Sequence, residues 1–377
     1  ATRMAESLYG IKGKLHSLPG EIDFNFRIDA EGKSYLLKIS RPDAKQDYLE
    51  FQQSILLHVA GSDTGSISPV PIPDLQGRYI SKTKDENGQI RKVRLLSWVE
   101  GRLWSGVNPV SDRLLFSLGE EVGRLTRSLE GFRHPLVERA FDWDLAQAGW
   151  IGEHLDLHTD ERKEILRYFK EQYDAIQADY GKLRRSVVHN DANDNNVVVT
   201  DDPAHPQVRA IIDFGDAIFT QLVNDLAVTL AYAVMDKADP LGAALPVVEG
   251  YHRQFPLRAE ELEMLYVLVS MRLAISVSKS AINRQREPDN EYLLISEAPA
   301  WDLLKKWKNI SADFAHYCFR QACGFTAHPQ ENQFRKWAAA HPVSLASLFP
   351  TFNKEQVHPL DLSVSGTWIG DREEAAD

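Results

Sequence analysis

The sequence predicts an α+β chain in two lobes, a small β-rich N-terminal lobe and a larger, mainly helical C-terminal one. Three observations carry that expectation. Residues 24–40 alternate apolar and polar side chains at strand period about a Glu31-Gly32 turn. From Ser111 onward, apolar residues recur at helical spacing. Within that helical half, "SVVHNDANDNNVVV" (186–199) gathers short polar side chains between two runs of valine.

The N-terminal lobe is expected over residues 1–98. "FNFRI" sets Phe24, Phe26 and Ile28 on one side of a strand, and "SYLLKIS" follows after the turn. "DYLEFQQSILLHV" (47–59) spaces Leu49, Ile55, Leu56 and Val59 as a helix does. A proline-rich loop, "SPVPIPDL", comes next. "GRYISKT" and "IRKVRLLSWV" then flank "KDENGQ", where Asn87-Gly88 is a strong hairpin signal. The outline is β-β-α-β-β. "VEGRLWSG" (99–106) breaks the pattern and opens the C-terminal lobe, expected over 99–360. There Ser111 is placed to cap a helix carrying Leu114, Leu115, Leu118, Val122 and Leu125. Further helices are expected near 160–180, 222–236, 241–254, 259–285, 301–322 and 330–340, with short β pieces at "SVV", "NVVVT" and "VRAIID". Residues 361–377 lack periodicity, end acidic and are expected to form a flexible tail.

Composition narrows the function. Of 377 residues, 43% are hydrophobic, enough for a large core. A net charge of −11 argues against non-specific nucleic-acid binding. Two cysteines, Cys318 and Cys323, can build neither a disulfide framework nor a four-ligand zinc site. They suit reduced core thiols in a cytoplasmic protein. No basic-then-apolar leader opens the chain, and "LYVLVSMRLAISV" is interrupted by Arg272, so no membrane partner is expected. The start "ATRMAES", without an initiator methionine, suits a processed or excised piece of something longer.

The polar cluster carries the chemistry. His189, Asp191 and Asn196 fit H-x-D-x-x-x-x-N, and "AIIDFGD" sets Asp213 at the end of an apolar strand. An H-x-D alone is weak, because asparagine-rich turns are common hairpin material. The second motif, a strand and a turn later, makes the pair specific for the catalytic loop and metal ligands of a kinase. Phosphoryl transfer asks for a carboxylate near the attacking hydroxyl and hard oxygen ligands for Mg2+ on the phosphates. Asp191 fits the first need, as base. Asn196 and Asp213 fit the second. A kinase also uses a lysine on the phosphates, steadied by a helix glutamate. Lys38 in "SYLLKIS" and Glu50 in "YLEFQQ" occupy those places. There is no G-x-G-x-x-G, so "HSLPGEIDFNF", with Ser17 and Gly20, would have to cradle phosphate through backbone N–H groups; an ordinary hairpin turn accounts for it equally well. "RLLSWVEG" reads as the hinge, where backbone groups of Ser97, Trp98 and Val99 would bond the purine of ATP or GTP; Trp98 serves equally well as core packing. Only about a dozen residues separate Asp213 from "NDLAVTLAY", and no A-P-E occurs. That leaves no long activation segment for a peptide groove and points to a small acceptor. Asp225 is read as a structural brace or helix cap.

These stretches resemble the aminoglycoside phosphotransferase and choline kinase superfamily, and within it the hydroxylysine kinase branch, over roughly residues 10–235. The resemblance implies a bilobal protein-kinase-like fold and a MgATP or MgGTP donor. It implies phosphorylation of a hydroxyl on an amino alcohol or amino sugar, with a hydroxylysine-like acceptor favoured. By motif it gives Asp191 the base role, Asn196 and Asp213 the metal roles, and Lys38 with Glu50 the phosphate-lysine pair. The chain departs from its relatives at Asn190 and Ala192, where Gly and Leu are usual. Similar members also occur fused to aminotransferase-like modules. An acceptor amine is further suggested by Asp194 and Asp216, whose carboxylates suit an ammonium, although loop hydrogen bonding accounts for them equally well. The thin phosphate loop leaves one alternative, a nucleotide-binding pseudokinase domain that regulates or scaffolds a fused enzyme.

Overall fold

The computed structural model describes residues 1–20, 23–65, 67–286 and 297–341. The expected tail at 361–377 lies outside these residues. The N-terminal lobe runs α1 (Thr2–Tyr9), β1 (Lys14–Leu18), β2 (Phe24–Ala30), β3 (Lys33–Ile39), α2 (Gln46–Ala60), β4 (Pro71–Ile72), β5 (Ser81–Lys84) and β6 (Ile90–Ser97). Its antiparallel sheet has the order β1-β2-β3-β6-β4, with β5 also paired to β6. The Glu31-Gly32 turn closes the β2–β3 hairpin with both residues at positive φ, 49° and 75°. Ile28, Leu37, Val93 and Leu95 form one buried face of the sheet, and Ala5 and Tyr9 of α1 close over it. The register sets Lys38 beside Asn25 on one neighbour and Arg94 on the other. Helix α1 was not expected from sequence: eight residues are too few for a clear periodic signal.

The C-terminal lobe begins with β7 (Arg102–Leu103) and α3 (Asp112–Leu129), where Ser111 accepts the Leu114 N–H as its cap. A 3-10 stretch at Leu145–Leu157 leads to α4 (Asp160–Tyr180). Then come β8 (Arg185–Val188), β9 (Val197–Val199), β10 (Val208–Ile211) and β11 (Ile218–Gln221). The remaining helices are α5 (Val223–Ala233), α6 (Pro240–Gln254), α7 (Ala259–Arg286), α8 (Glu297–Lys308), α9 (Ala312–Ala322) and α10 (Glu331–Ala340). The single helix expected over 301–322 is two. Ser311 accepts the Phe314 N–H and starts α9 afresh, a capping signal hidden inside one apolar run.

The strand pairing positions the chemistry. β9 lies between β10 and β7, while β8 pairs with β11. The loop from β8 to β9 and the loop from β10 to β11 therefore start and finish on paired strands. Topology lays residues 189–196 and 212–217 side by side. Helix α7 is long and apolar enough to cross a membrane, but 89% of its most apolar window is buried inside this lobe, against α5, α4 and α8.

α3 and α6 cross at very short range. A Cβ on Gly119 would lie 2.0 Å from the Val247 carbonyl oxygen, and one on Gly250 would lie 2.2 Å from that of Phe116. Both obstacles are backbone, so no side-chain rotation relieves them. Gly119→Ala should therefore destabilise the fold by about 1–3 kcal/mol or more. A lower denaturant midpoint is the expected result, and an unchanged midpoint would show that the helices can part freely.

Candidate active site

The 189–196 loop is held from both ends. His189 is fully buried, and burial pushes its pKa down, which favours the neutral ring. Its Nδ1 accepts the Asp191 N–H at 3.2 Å, which leaves Nε2 to donate to the Ile212 carbonyl at 3.1 Å. Asn190 adopts a left-handed φ of 66°, and its N–H donates to the Asp225 carboxylate at 2.9 Å. Asp225, buried at the start of α5, also accepts from the Thr126 hydroxyl at 3.2 Å. It braces the loop, as expected. Downstream, Asn193 and Asn196 fold the loop onto Asp191. Their Nδ2 groups donate to Asp191 Oδ2 at 3.0 and 2.8 Å. The Asn196 Nδ2 is spent there, while its side-chain Oδ1 keeps no protein donor among the described residues.

Asp213 opens the adjacent loop, also at positive φ, 64°. Its Oδ1 accepts the Gly215 N–H at 3.1 Å, and its Oδ2 lies 3.8 Å from Lys38 Nζ. The Lys38 ammonium holds the Asp213 carboxyl below its ordinary pKa. A residue of the N-terminal sheet thus reaches the loop of the C-terminal lobe. The Asp213 side chain is 52% exposed, open to a ligand.

The lysine's expected partner is corrected. Glu50 is exposed and accepts from Gln46 Nε2 one turn back on α2. At 100° per residue, the α2 face that reaches the site carries Tyr48 and Gln52 instead. The Tyr48 hydroxyl donates to the Gly215 carbonyl, and Gln52 Oε1 accepts from Arg94 at 2.6 Å. The carboxylate beside Lys38 is Asp23, 3.9 Å away, just before β2. Arg94 donates to the same Asp23 oxygen at 2.5 Å. Lys38 and Arg94 are direct cross-strand neighbours, a repulsive placement that one shared carboxylate relieves.

Ser17 and Gly20 are exposed at the β1 end and in the turn that follows; Glu21 and Ile22 lie outside the described residues. Asn25 Nδ2 bonds the Pro19 carbonyl at 3.2 Å across this turn. At the hinge, the Ser97 N–H donates to Val70 at 2.8 Å and the Trp98 N–H to Ser34 at 3.3 Å. Those two donors are already used, whereas the Val99 N–H has no protein acceptor among the described residues. Trp98 packs under the Arg27 guanidinium at 4.7 Å, and its indole N–H is buried without a partner.

On the acceptor side, Arg272 of α7 donates to Asp191 Oδ1 at 2.9 Å. Burial raises the Asp191 pKa, against the pull of this guanidinium. Asp216, half-buried, has a pKa raised by burial and no hydrogen-bond donor among the described residues. Asp194 lies further along, its backbone carbonyl bonded by the Ser105 N–H at 3.0 Å. Among the described residues no three His, Cys, Asp or Glu side chains could hold a metal by themselves. Asn196 and Asp213 do offer hard oxygens of the kind Mg2+ prefers, and Mg2+ takes the rest of its shell from phosphates and water. The donor set fits that ion.

Comparison with known proteins agrees with this geometry. Residues 14–262 match the phosphotransferase enzyme family. The hydroxylysine kinase of Mus musculus is 28% identical over 335 residues, covering 81% of this chain and 88% of that protein. The homoserine kinase of Zymomonas mobilis is 25% identical over 275 residues, covering 70% and 79%. A microcompartment-associated aminopropanol kinase superposes with a TM-score of 0.60 at 17% identity, over 85% of this chain and 97% of that one, and shares its fold. With its Lys38–Asp213 contact and its braced Asp191, the chain belongs to the phosphotransferase enzyme family, as a small-molecule kinase whose acceptor group is a hydroxyl.

Proposed function

We propose that the chain transfers the γ-phosphate of ATP or GTP to the hydroxyl of an amino-bearing alcohol, with a hydroxylysine-like amino acid as the favoured acceptor. What supports this is the Lys38–Asp213 contact, with the Asn196-held Asp191 on the neighbouring loop. The curated relatives support the acceptor class, since hydroxylysine and homoserine each carry a hydroxyl and an amine. Asp216 supports it from the site. A half-buried carboxylate without a protein donor suits an ammonium.

Lys38 binds the phosphate oxygens of the donor, kept in place by Asp23 and Asp213. Asn196 and Asp213 would hold Mg2+, which when bound would neutralise the charge of the phosphates. Ser17, Gly20 and their turn cover the phosphates, and the Val99 backbone meets the purine at the hinge. Asp191 orients the acceptor hydroxyl. As the acceptor oxygen bonds to the γ-phosphorus and the bond to the leaving phosphate oxygen breaks, the hydroxyl proton passes to the Asp191 carboxylate. Little else is asked of the protein than position and charge.

Turnover is measured as ADP or GDP release with 5-hydroxylysine, homoserine, aminopropanol and amine-free sugars. Amine-bearing acceptors should be favoured; turnover confined to the amine-free sugars overturns the acceptor class. Asp191→Asn should lower kcat by about 10²–10⁴-fold while nucleotide binding persists. Asp216→Asn should raise the KM for the amine acceptor by about tenfold, since one charge-assisted hydrogen bond is lost, and leave the nucleotide KM unchanged. Asp23→Asn should cut kcat by about tenfold, whereas Glu50→Gln stays within about twofold of the parent. The reverse ranking would restore Glu50 as the partner of Lys38.

A further inference from the structure

We propose that Arg272 is a positioning residue that fixes which oxygen of Asp191 receives the acceptor's proton. The inference rests on the reading of Asp191 as the base. Two carboxylate oxygens offer about four lone-pair directions. Oδ2 uses two, for Asn193 and Asn196 at 3.0 and 2.8 Å. Oδ1 uses one, for Arg272 at 2.9 Å. Among the described residues the remaining direction therefore belongs to Oδ1, and the acceptor hydroxyl meets the oxygen that the guanidinium holds.

The guanidinium has little freedom to leave. It is 1% exposed. Its Nε donates to the Tyr232 hydroxyl and another nitrogen to the Trp143 carbonyl, both at 3.3 Å. Its plane lies over the Trp143 ring at 4.5 Å and near the Tyr232 ring at 5.4 Å. A lysine would keep the charge but lose the fork and the stacking. Stability alone gives no reason for such a group. A buried ion pair is commonly matched or bettered by apolar packing, and Met271, Leu273 and Ala274 beside it on α7 are apolar core. In use, the acceptor O–H proton moves to Oδ1 and the guanidinium stays protonated throughout.

The test uses the full chain, MgATP or MgGTP, and 5-hydroxylysine or whichever amine-bearing acceptor turns over. Arg272→Met should lower kcat by about 10²–10³-fold, and Arg272→Lys should recover part of that loss. The nucleotide KM, and affinity for a non-hydrolysable nucleotide, should stay within about twofold of the parent. A general structural role would move both parameters together. An Arg272→Met protein that binds nucleotide normally and turns over within about threefold of the parent overturns the inference. Should that variant lose nucleotide binding, Tyr232→Phe decides. It removes only an acceptor of Arg272, so a drop in kcat of about threefold at constant nucleotide KM supports the inference and an unchanged kcat overturns it. Asp191→Asn separates the two readings. If it is inactive while Arg272→Met is fully active, only the positioning role fails; if it is active, the base assignment fails and this inference with it.

Discussion

A carboxylate shut away from water holds the catalytic loop in place. Asp225 is fully buried, and an ion there would be costly without donors. The Asn190 N–H and the Thr126 hydroxyl supply them. The first bond fixes the chain where Asn190 turns left-handed, a conformation that asparagine accepts at small cost. His189, one residue earlier, ties the same turn to the strand end at Ile212. With both sides pinned, the loop needs only short side chains to fold its amides onto Asp191. Asn193 and Asn196 supply those donors without the rotamer freedom of a longer residue.

Much of this was legible in the sequence because it depends on spacing. H-x-D-x-x-x-x-N and the later "IIDFGD" mark two loops whose flanking valines and isoleucines must be strands, and paired strands bring the loops together. Lys38 was legible from its place in an alternating strand. What escaped depends on direction around a helix or on partners distant in sequence. Glu50 satisfied the spacing for a lysine partner but not the angle, since α2 turns it to solvent. Asp23 sat unremarked before β2, although a carboxylate beside the phosphate turn was a signal. Arg94 interrupts Val93 and Leu95 in β6, and Arg272 interrupts a long apolar run. Both were visible as isolated charges in core segments, where a charge requires a partner. The Arg272 interruption was read only as breaking a membrane span.

The charge of the molecule is divided between surface and site. A net charge of −11 sits on a chain whose cleft collects buried or half-buried cations, Lys38, Arg94 and Arg272. Each is matched to a carboxylate: Asp23 shared by two, Asp213 with Lys38, Asp191 with Arg272. On the proposed reading, a triphosphate would meet cations already held by fixed partners, and little reorganisation would accompany its binding. Asp216 lies in the same field, acted on by Arg272 and Arg139 but with no hydrogen-bond donor among the described residues.

One contact links these arrangements across the lobes. The Gly215 carbonyl, two residues past Asp213, accepts from Tyr48 of α2, while Arg139 of the C-terminal lobe donates to the Ala217 carbonyl at 2.7 Å and stacks near the Phe141 ring at 4.8 Å. Asp213 is thereby positioned by both lobes at once. The loop that carries Asp213 is tied to α2 of one lobe and to Arg139 of the other, and this keeps Asp213 within reach of Lys38.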